Sequence, residues 1–168
     1  GIPDLIDEAR NEVDFFLSIR DGEAYSQGVT NPSTEWTIMF QAGCTTMAAW
    51  ANAANCTMLA EAFRIHGDEE LCAYYTGEAV KAYRYAEKQE WTQLDDLQNI
   101  GTSGMRGRDF KQMAAAFLYN LTGERSWEDV MALESVVMDG KSPVFSKQGR
   151  NQFYQIWGTA AYLTCPHE

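Results

Sequence analysis

The chemistry-bearing residues of this sequence are carboxylates and aromatic rings, and they concentrate in two stretches without helical periodicity. The first holds Tyr25, Glu35 and Trp36; the second holds Trp91, Asp95, Asp96, Arg106, Arg108 and Asp109. That combination suits a saccharide. Paired acids can protonate a glycosidic oxygen and activate water, while indole and phenol rings cover pyranose faces and a few polar groups fix the orientation. Tyr25, Trp36, Trp91, Arg108 and Asp109 are the substrate-binding candidates on this reading. Each also has a structural alternative. The two tryptophans can anchor loops on a core, and Asp109 can be the N-cap of a helix. Asp95 and Asp96 are adjacent, so on a helix they would point about 100° apart, which suits a solvated acidic turn. No residue is assigned a catalytic role.

Other chemistries lack their residues. The sequence has no HExxH, no P-loop and no GxGxxG motif, and Gly101-Thr102-Ser103-Gly104 runs into Met105 instead of completing a nucleophile elbow. His66 and His167 are the only histidines, little material for a serine triad. Cys44, Cys56, Cys72 and Cys165 form no CxxC pair, and Cys44 and Cys56, beside or within an alanine-rich segment, read as small, easily buried hydrophobes. No cofactor is expected, and a metal site, calcium included, is left open. With 24 acidic against 13 basic residues the net charge is −11, which argues against partners that present phosphate or an anionic membrane surface. No apolar run approaches the ~18–20 residues that cross a bilayer. No basic n-region with an apolar stretch opens the chain, so a secretion signal is expected to have been removed or never attached.

The elements that must position these residues are helical. A length of 168 residues with 45% hydrophobic residues suits one domain, residues 1–168, with a continuous core. Ile2, Leu5, Ile6, Ala9, Val13, Phe16 and Leu17 recur at helical spacing behind Pro3, and Arg20-Asp21-Gly22 ends that helix. Residues 22–44 then form a long loop, a length that is more often functional than filler. Thr45-Thr46 can cap a second helix to about Ile65, with alanines around its circumference, as expected of a helix enclosed by neighbours. Gly67 ends it and Asp68 caps a third. After a loop over 89–108, a fourth helix is expected from about Asp109 to Leu121, ended by Gly123. Ser126 would open a fifth to about Met138, and a sixth would span Gln148 to Leu163. Superposing Gly67 on Gly123 exposes an internal repeat with a period of 56 residues (123 − 67). A helix, a glycine break and a second helix, repeated, read as stacked helical hairpins. No segment reads as a strand, so the class is all-α.

Several motifs then arrive in a recognisable order. Gly1-Ile2-Pro3-Asp4-Leu5-Ile6-Asp7-Glu8-Ala9-Arg10 resembles the helix that follows the catalytic aspartate region in glycoside hydrolase family 9, the inverting cellulases. Thr45-Thr46-Met47-Ala48-Ala49 with Leu59-Ala60-Glu61-Ala62-Phe63 resembles its alanine-rich helix, and Ala79-Val80-Lys81-Ala82-Tyr83 the helix after it. Ala115-Ala116-Phe117-Leu118-Tyr119, then Leu121-Thr122-Gly123-Glu124, is similar to the family's Ala-Ala-x-x-Leu-Tyr-x-x-Thr-Gly-Asp stretch. The resemblance covers most of the chain to about residue 130.

It implies part of an (α/α)6 toroid, of which six helices make about half. It also implies a parent enzyme that hydrolyses β-linked polysaccharide or oligosaccharide with inversion, secreted or periplasmic. The family's base lies in an Asp-Ala-Gly-Asp motif upstream of the matching helix and its acid is a glutamate near the domain's C-terminal end; neither motif occurs here. Asp4-Leu5-Ile6-Asp7 imitates the spacing but matches the downstream helix, so it does not inherit the role. The isolated chain is therefore expected to be inactive and to partner carbohydrate and the remaining segments of the parent domain. Uncovered helix faces would favour a homo-oligomer. The alternatives are a non-catalytic helical-repeat module binding glycan or protein, and another toroid enzyme such as a polysaccharide lyase.

Overall fold

In the computed structural model, residues 1–31, 35, 37–100, 103–147 and 152–167 are described. Among them lie six α-helices: α1 (Asp4–Ser18), α2 (Thr46–His66), α3 (Glu69–Lys88), α4 (Gly107–Thr122), α5 (Arg125–Glu134) and α6 (Ile156–Leu163). The punctuation read from sequence holds at the hairpin turns. The Thr45 hydroxyl accepts from the Ala48 N–H at 3.1 Å, and the Asp68 carboxylate accepts from the Leu71 N–H at 3.0 Å. Gly67 and Gly123 close α2 and α4 with φ of 89° and 69°, the left-handed conformation that glycine adopts without a Cβ clash.

Three expectations are corrected. Helix α4 opens at Gly107, so Asp109 sits inside its first turn and is not the N-cap. Helix α5 is preceded by Glu124, with Ser126 inside it, and ends at Glu134, before a 3-10 turn over Val136–Asp139. Helix α6 begins at Ile156, because the Tyr154 N–H and the Gln155 side chain are drawn onto Asp109 and hold the preceding backbone extended. Strands are also present, as three short antiparallel ribbons. They pair β1 (Val29–Thr30) with β2 (Phe40–Gln41), β3 (Leu97–Ile100) with β4 (Ser103–Arg106), and β5 (Phe145–Ser146) with β6 (Phe153–Tyr154).

The helices fall into two layers. Helices α2, α4 and α6 lie side by side and run the same way. Asp109 and Gln155 join α4 to the start of α6, and the Asn120 amide donates to the Ala161 carbonyl at 3.0 Å nearer their C-terminal ends. Helices α1, α3 and α5 run opposite to these and pack outside. Small side chains let the layers approach: Ala49, Ala53, Ala60, Ala79, Ala82, Ala114, Ala115 and Ala116 are fully buried. Between them Tyr83 is edge-on to both Trp50, at 5.0 Å, and Trp127, at 4.9 Å.

The two ends of this assembly differ. At one end α2 joins α3, and α4 joins α5, through tight turns. At the other, three long connections (19–45, 89–106 and 135–155) each carry a ribbon to the N-terminus of an inner helix. A rigid scaffold with its long connections gathered at one end is where binding residues are expected.

Candidate functional site

The second connection is sewn onto the first turn of α2. The Thr46 hydroxyl donates to the Trp91 carbonyl at 2.8 Å, the Trp50 indole N–H to the Thr92 carbonyl at 2.7 Å, and the Met47 N–H to the Gln93 side-chain oxygen at 2.9 Å. From the other side the Arg108 N–H donates to the Leu94 carbonyl at 2.9 Å. Gln93 has φ of 51°, and a Cβ placed on Gly107 would overlap its carbonyl oxygen; position 107 admits only glycine without displacing this backbone. The backbone at 91–93 is thus tied down while the Trp91 ring is 68% exposed. It lines a hollow of about 280 Å³ with Cys44, Thr45, Tyr85, Gln89 and Glu90. Tyr25 is 2% exposed and tilts against Tyr85 at 5.6 Å, so it supports the wall of this hollow from inside the core.

A second hollow of about 290 Å³ adjoins the first turn of α2 through Met47. Phe16 and Phe110 supply rings, and Gln27, Asn52, Asn55 and Gln98 supply neutral amides. Asn52 is largely buried and its amide N–H donates to the Ala48 carbonyl at 2.8 Å. None of these residues was a binding candidate from the sequence. The available signal was a pair of asparagines three positions apart on one face of a helix otherwise dominated by alanine.

Arg108 and Asp109 belong to neither hollow. Arg108 donates to Asp95 at 2.9 Å and to Glu134 at 2.6 Å, and Lys111 donates to the other oxygen of Glu134 at 2.7 Å. Asp109 is fully buried. One oxygen accepts from the Arg106 N–H at 2.8 Å and the Tyr154 N–H at 3.0 Å, and the other accepts from the Gln155 amide at 3.1 Å. Gln155 reaches onward, donating to the Glu134 carbonyl at 2.9 Å and accepting from the Val136 N–H at 2.8 Å. The pair therefore ties the second and third connections together. Burial pushes the Asp109 carboxyl above its ordinary value, opposed by the N–H groups of Arg106 and Tyr154.

Of the other candidates, Asp96 accepts from Gln93 at 3.0 Å, and the Arg106 guanidinium donates to the carbonyls of Gln152, at 2.7 Å, and Asp95. Glu35 is exposed, and a hydrogen bond from the Thr37 hydroxyl at 2.6 Å holds its carboxyl below the ordinary value. Trp36 lies outside the described residues. Among the described residues no group of three or more His, Cys, Asp or Glu side chains is placed to hold a metal. All four cysteines are thiols; Cys56 is buried as expected, but the burial expected of Cys44 is corrected, because it stands exposed beside the Trp91 hollow at the end of the first connection, ahead of α2.

Inner helices running parallel, outer helices running back, and long connections at one end describe a segment of an α/α toroid. Two solved structures share it over nearly the whole chain. One is a glycoside hydrolase family 9 protein of Bacteroides ovatus, with a TM-score of 0.71 and 20% identity over 99% of this chain. The fold is that of part of a glycoside hydrolase family 9 structure. A metagenome-derived family 9 endoglucanase superposes similarly, with a TM-score of 0.65 and 19% identity over 96% of the chain. The matched region is 33% of the first structure and 30% of the second, so the chain spans about a third of either. Comparison with protein-family models and with curated proteins returns no match. The all-α part of an α/α toroid that the family resemblance implied therefore stands. Among the described residues no helix is long and apolar enough to cross a membrane.

Proposed function

We propose that this chain is part of the catalytic domain of a glycoside hydrolase that acts on β-linked polysaccharide or oligosaccharide with inversion, and that it supplies cleft wall and scaffold. The exposed Trp91 ring on its fixed backbone carries this reading. A pyranose presents axial C–H groups to such a face, and the neighbouring neutral amides suit hydroxyls without selecting a charge. The chemistry itself needs a carboxylate that activates water and a protonated glutamate that delivers a proton to the leaving oxygen. Here the cleft-end carboxylates Asp95, Asp96, Asp109 and Glu134 are each bonded to protein donors. The hydrolytic pair is accordingly assigned to other segments of the parent domain, and a secreted or periplasmic location goes with that assignment.

The test is a titration of tryptophan fluorescence with cello-oligosaccharides, beside the Trp91→Ala variant. A saturable change that the variant loses supports a sugar wall at Trp91. An unchanged response in the variant refutes the placement, and reducing sugar released from soluble β-glucan by the purified chain refutes the assignment of catalysis elsewhere. The commitment of those carboxylates also favours a second reading, a helical module that binds glycan or protein without cleaving it. Binding to the chain, with no gain of hydrolysis when the rest of a family 9 toroid is supplied, would favour that reading.

A further inference from the structure

Successive outer helices α1 and α3 leave a groove between them on the flank of the assembly, away from the ribbon end. Both of its walls are present in this chain, so a segment that extends the toroid at either end joins a different face. The groove has a volume of about 510 Å³, within the ~300–1,000 Å³ of small-ligand hollows. Leu17, Leu71 and Tyr75 give it an apolar floor, and the Tyr75 ring stacks on Phe63 of α2 at 5.6 Å. The polar groups around that floor fall into two sets. Some are fixed by one another: the Tyr75 hydroxyl donates to Asp14 at 2.7 Å, Arg10 pairs with Asp14 at 3.4 Å, and Arg20 donates to Glu78 at 2.8 Å. Each guanidinium thus already faces a carboxylate, and the groove offers no net charge to an anion. The others are uncommitted. Among the described residues no hydrogen bond or ion pair holds the Glu70 carboxylate or the Tyr74 hydroxyl, and the Tyr74 ring is 49% exposed, propped edge-on against Tyr75 at 4.9 Å.

We propose that the α1–α3 groove is a second saccharide site, on the flank of the toroid and separate from the cleft, that takes an uncharged segment of the polysaccharide. Tyr74 supplies a ring held at a set angle by its neighbour, against which a pyranose face can lie. Glu70 supplies a carboxylate that accepts from sugar hydroxyls, and Arg10, at the opposite wall, supplies N–H donors to hydroxyl or ring oxygens. Donor, acceptor and ring without net charge match a neutral sugar and discriminate against a uronate. The groove also stands within reach of the cleft. Glu78, at the end of the Arg20 bond, lies ten residues before the end of α3 at Lys88, about 15 Å along the helix axis, and the connection carrying Trp91 follows there. A long chain bound in the groove is thereby kept at high effective concentration beside the cleft, a gain that a short oligosaccharide cannot collect. The ligand class rests on the saccharide reading above, whereas the site itself makes no use of Trp91.

The experiment is a titration of the 168-residue chain with cellohexaose followed by amide NMR shifts, in the parent chain and in the variants Tyr74→Ala, Glu70→Gln and Trp91→Ala. Tyr74 and Glu70 are both exposed, so their variants should keep the helical circular dichroism of the parent chain, and the isosteric Glu70→Gln guards against a packing effect of the larger truncation. The expected result is a saturable shift of amides in 10–18 and 70–75 that Trp91→Ala leaves in place, that Tyr74→Ala weakens about tenfold in affinity and Glu70→Gln by a smaller factor. No tryptophan lines the groove, so this response should be absent from tryptophan fluorescence. Groove amides that stay silent while those around Trp91 respond overturn the proposal and leave the cleft reading intact; silence at both overturns both. A groove that responds while Trp91 does not upholds the proposal and counts against the cleft wall. Shifts that survive both groove substitutions unchanged overturn the assignment to these residues, and a trimer of galacturonate that binds there as tightly as cellohexaose overturns the selection of a neutral sugar.

Discussion

Replacing Asp109 separates a cleft role from a structural one. In Asp109→Ala the Gln155 amide keeps its bond to the Glu134 carbonyl, but the N–H groups of Arg106 and Tyr154 lose their acceptor. A buried donor left without a partner costs about 1–3 kcal/mol, so two of them predict a loss of about 2–6 kcal/mol. Asp109→Asn should cost less, about 1–2 kcal/mol, because one amide oxygen can replace the carboxylate oxygen that serves both N–H groups while the new NH2 faces the Gln155 amide. Urea unfolding followed by circular dichroism reads both losses; at an m-value of about 1–3 kcal/mol/M the alanine variant should unfold about 2 M earlier.

The pH dependence supplies an independent check. The Asp109 carboxyl is raised in the folded protein, so its stabilising contribution is fully present below the ordinary carboxylate range and is lost as pH rises through the folded value. The deficit of Asp109→Asn should therefore be larger at acid than at neutral pH. An alanine variant as stable as the parent chain, or an asparagine variant less stable than the alanine one, would refute the reasoning. Loss of sugar binding with stability unchanged would return Asp109 to the cleft.

Gly107→Ala should destabilise the chain by about 1–3 kcal/mol, because the new Cβ overlaps the Gln93 carbonyl and must move the backbone beneath Trp91; urea midpoints and the Trp91 response should fall together. Trp91→Ala should leave the unfolding free energy from urea titration within about 0.5 kcal/mol of the parent chain, since the exposed ring contributes little packing, while abolishing the sugar-dependent fluorescence change. Thiol labelling of the native chain near pH 8 should modify Cys44 readily and spare Cys56 until unfolding, because Cys56 is buried and its thiol is pushed up to about 12 by that burial; native labelling at Cys56 would contradict the packing of α2.

The helical half of this fold was legible because its signals are local. Thr45, Asp68, Gly67 and Gly123 act within one turn of where they stand, and each does what its type predicts. The ribbons were not legible. They pair two to four residues at a time, and Val29, Phe40 and Leu97 face solvent, so no apolar alternation marks them. The start of α6 failed for a related reason: Asp109 reaches across 45 residues to Tyr154 and 46 to Gln155, a separation that no local pattern encodes. The site divides the same way. Trp91 was a candidate from its type and is exposed in the fold, but Tyr25 could not be distinguished from a surface ring until Tyr85 was seen in front of it. Asn52 and Gln98 are ordinary amides until the fold sets them around one hollow.

The three bonds that fix the backbone at residues 91–93 bear on how a ligand would be held. Ordering one residue of a mobile loop costs roughly 1–2 kcal/mol of conformational entropy, and a platform on such a loop must surrender that each time it closes on a ligand. Here folding has already ordered those residues. A ring arriving on Trp91 meets a preorganised surface, so association there should show single-phase kinetics without a slow closing step, and differences in affinity among sugars should reside in how fast they leave.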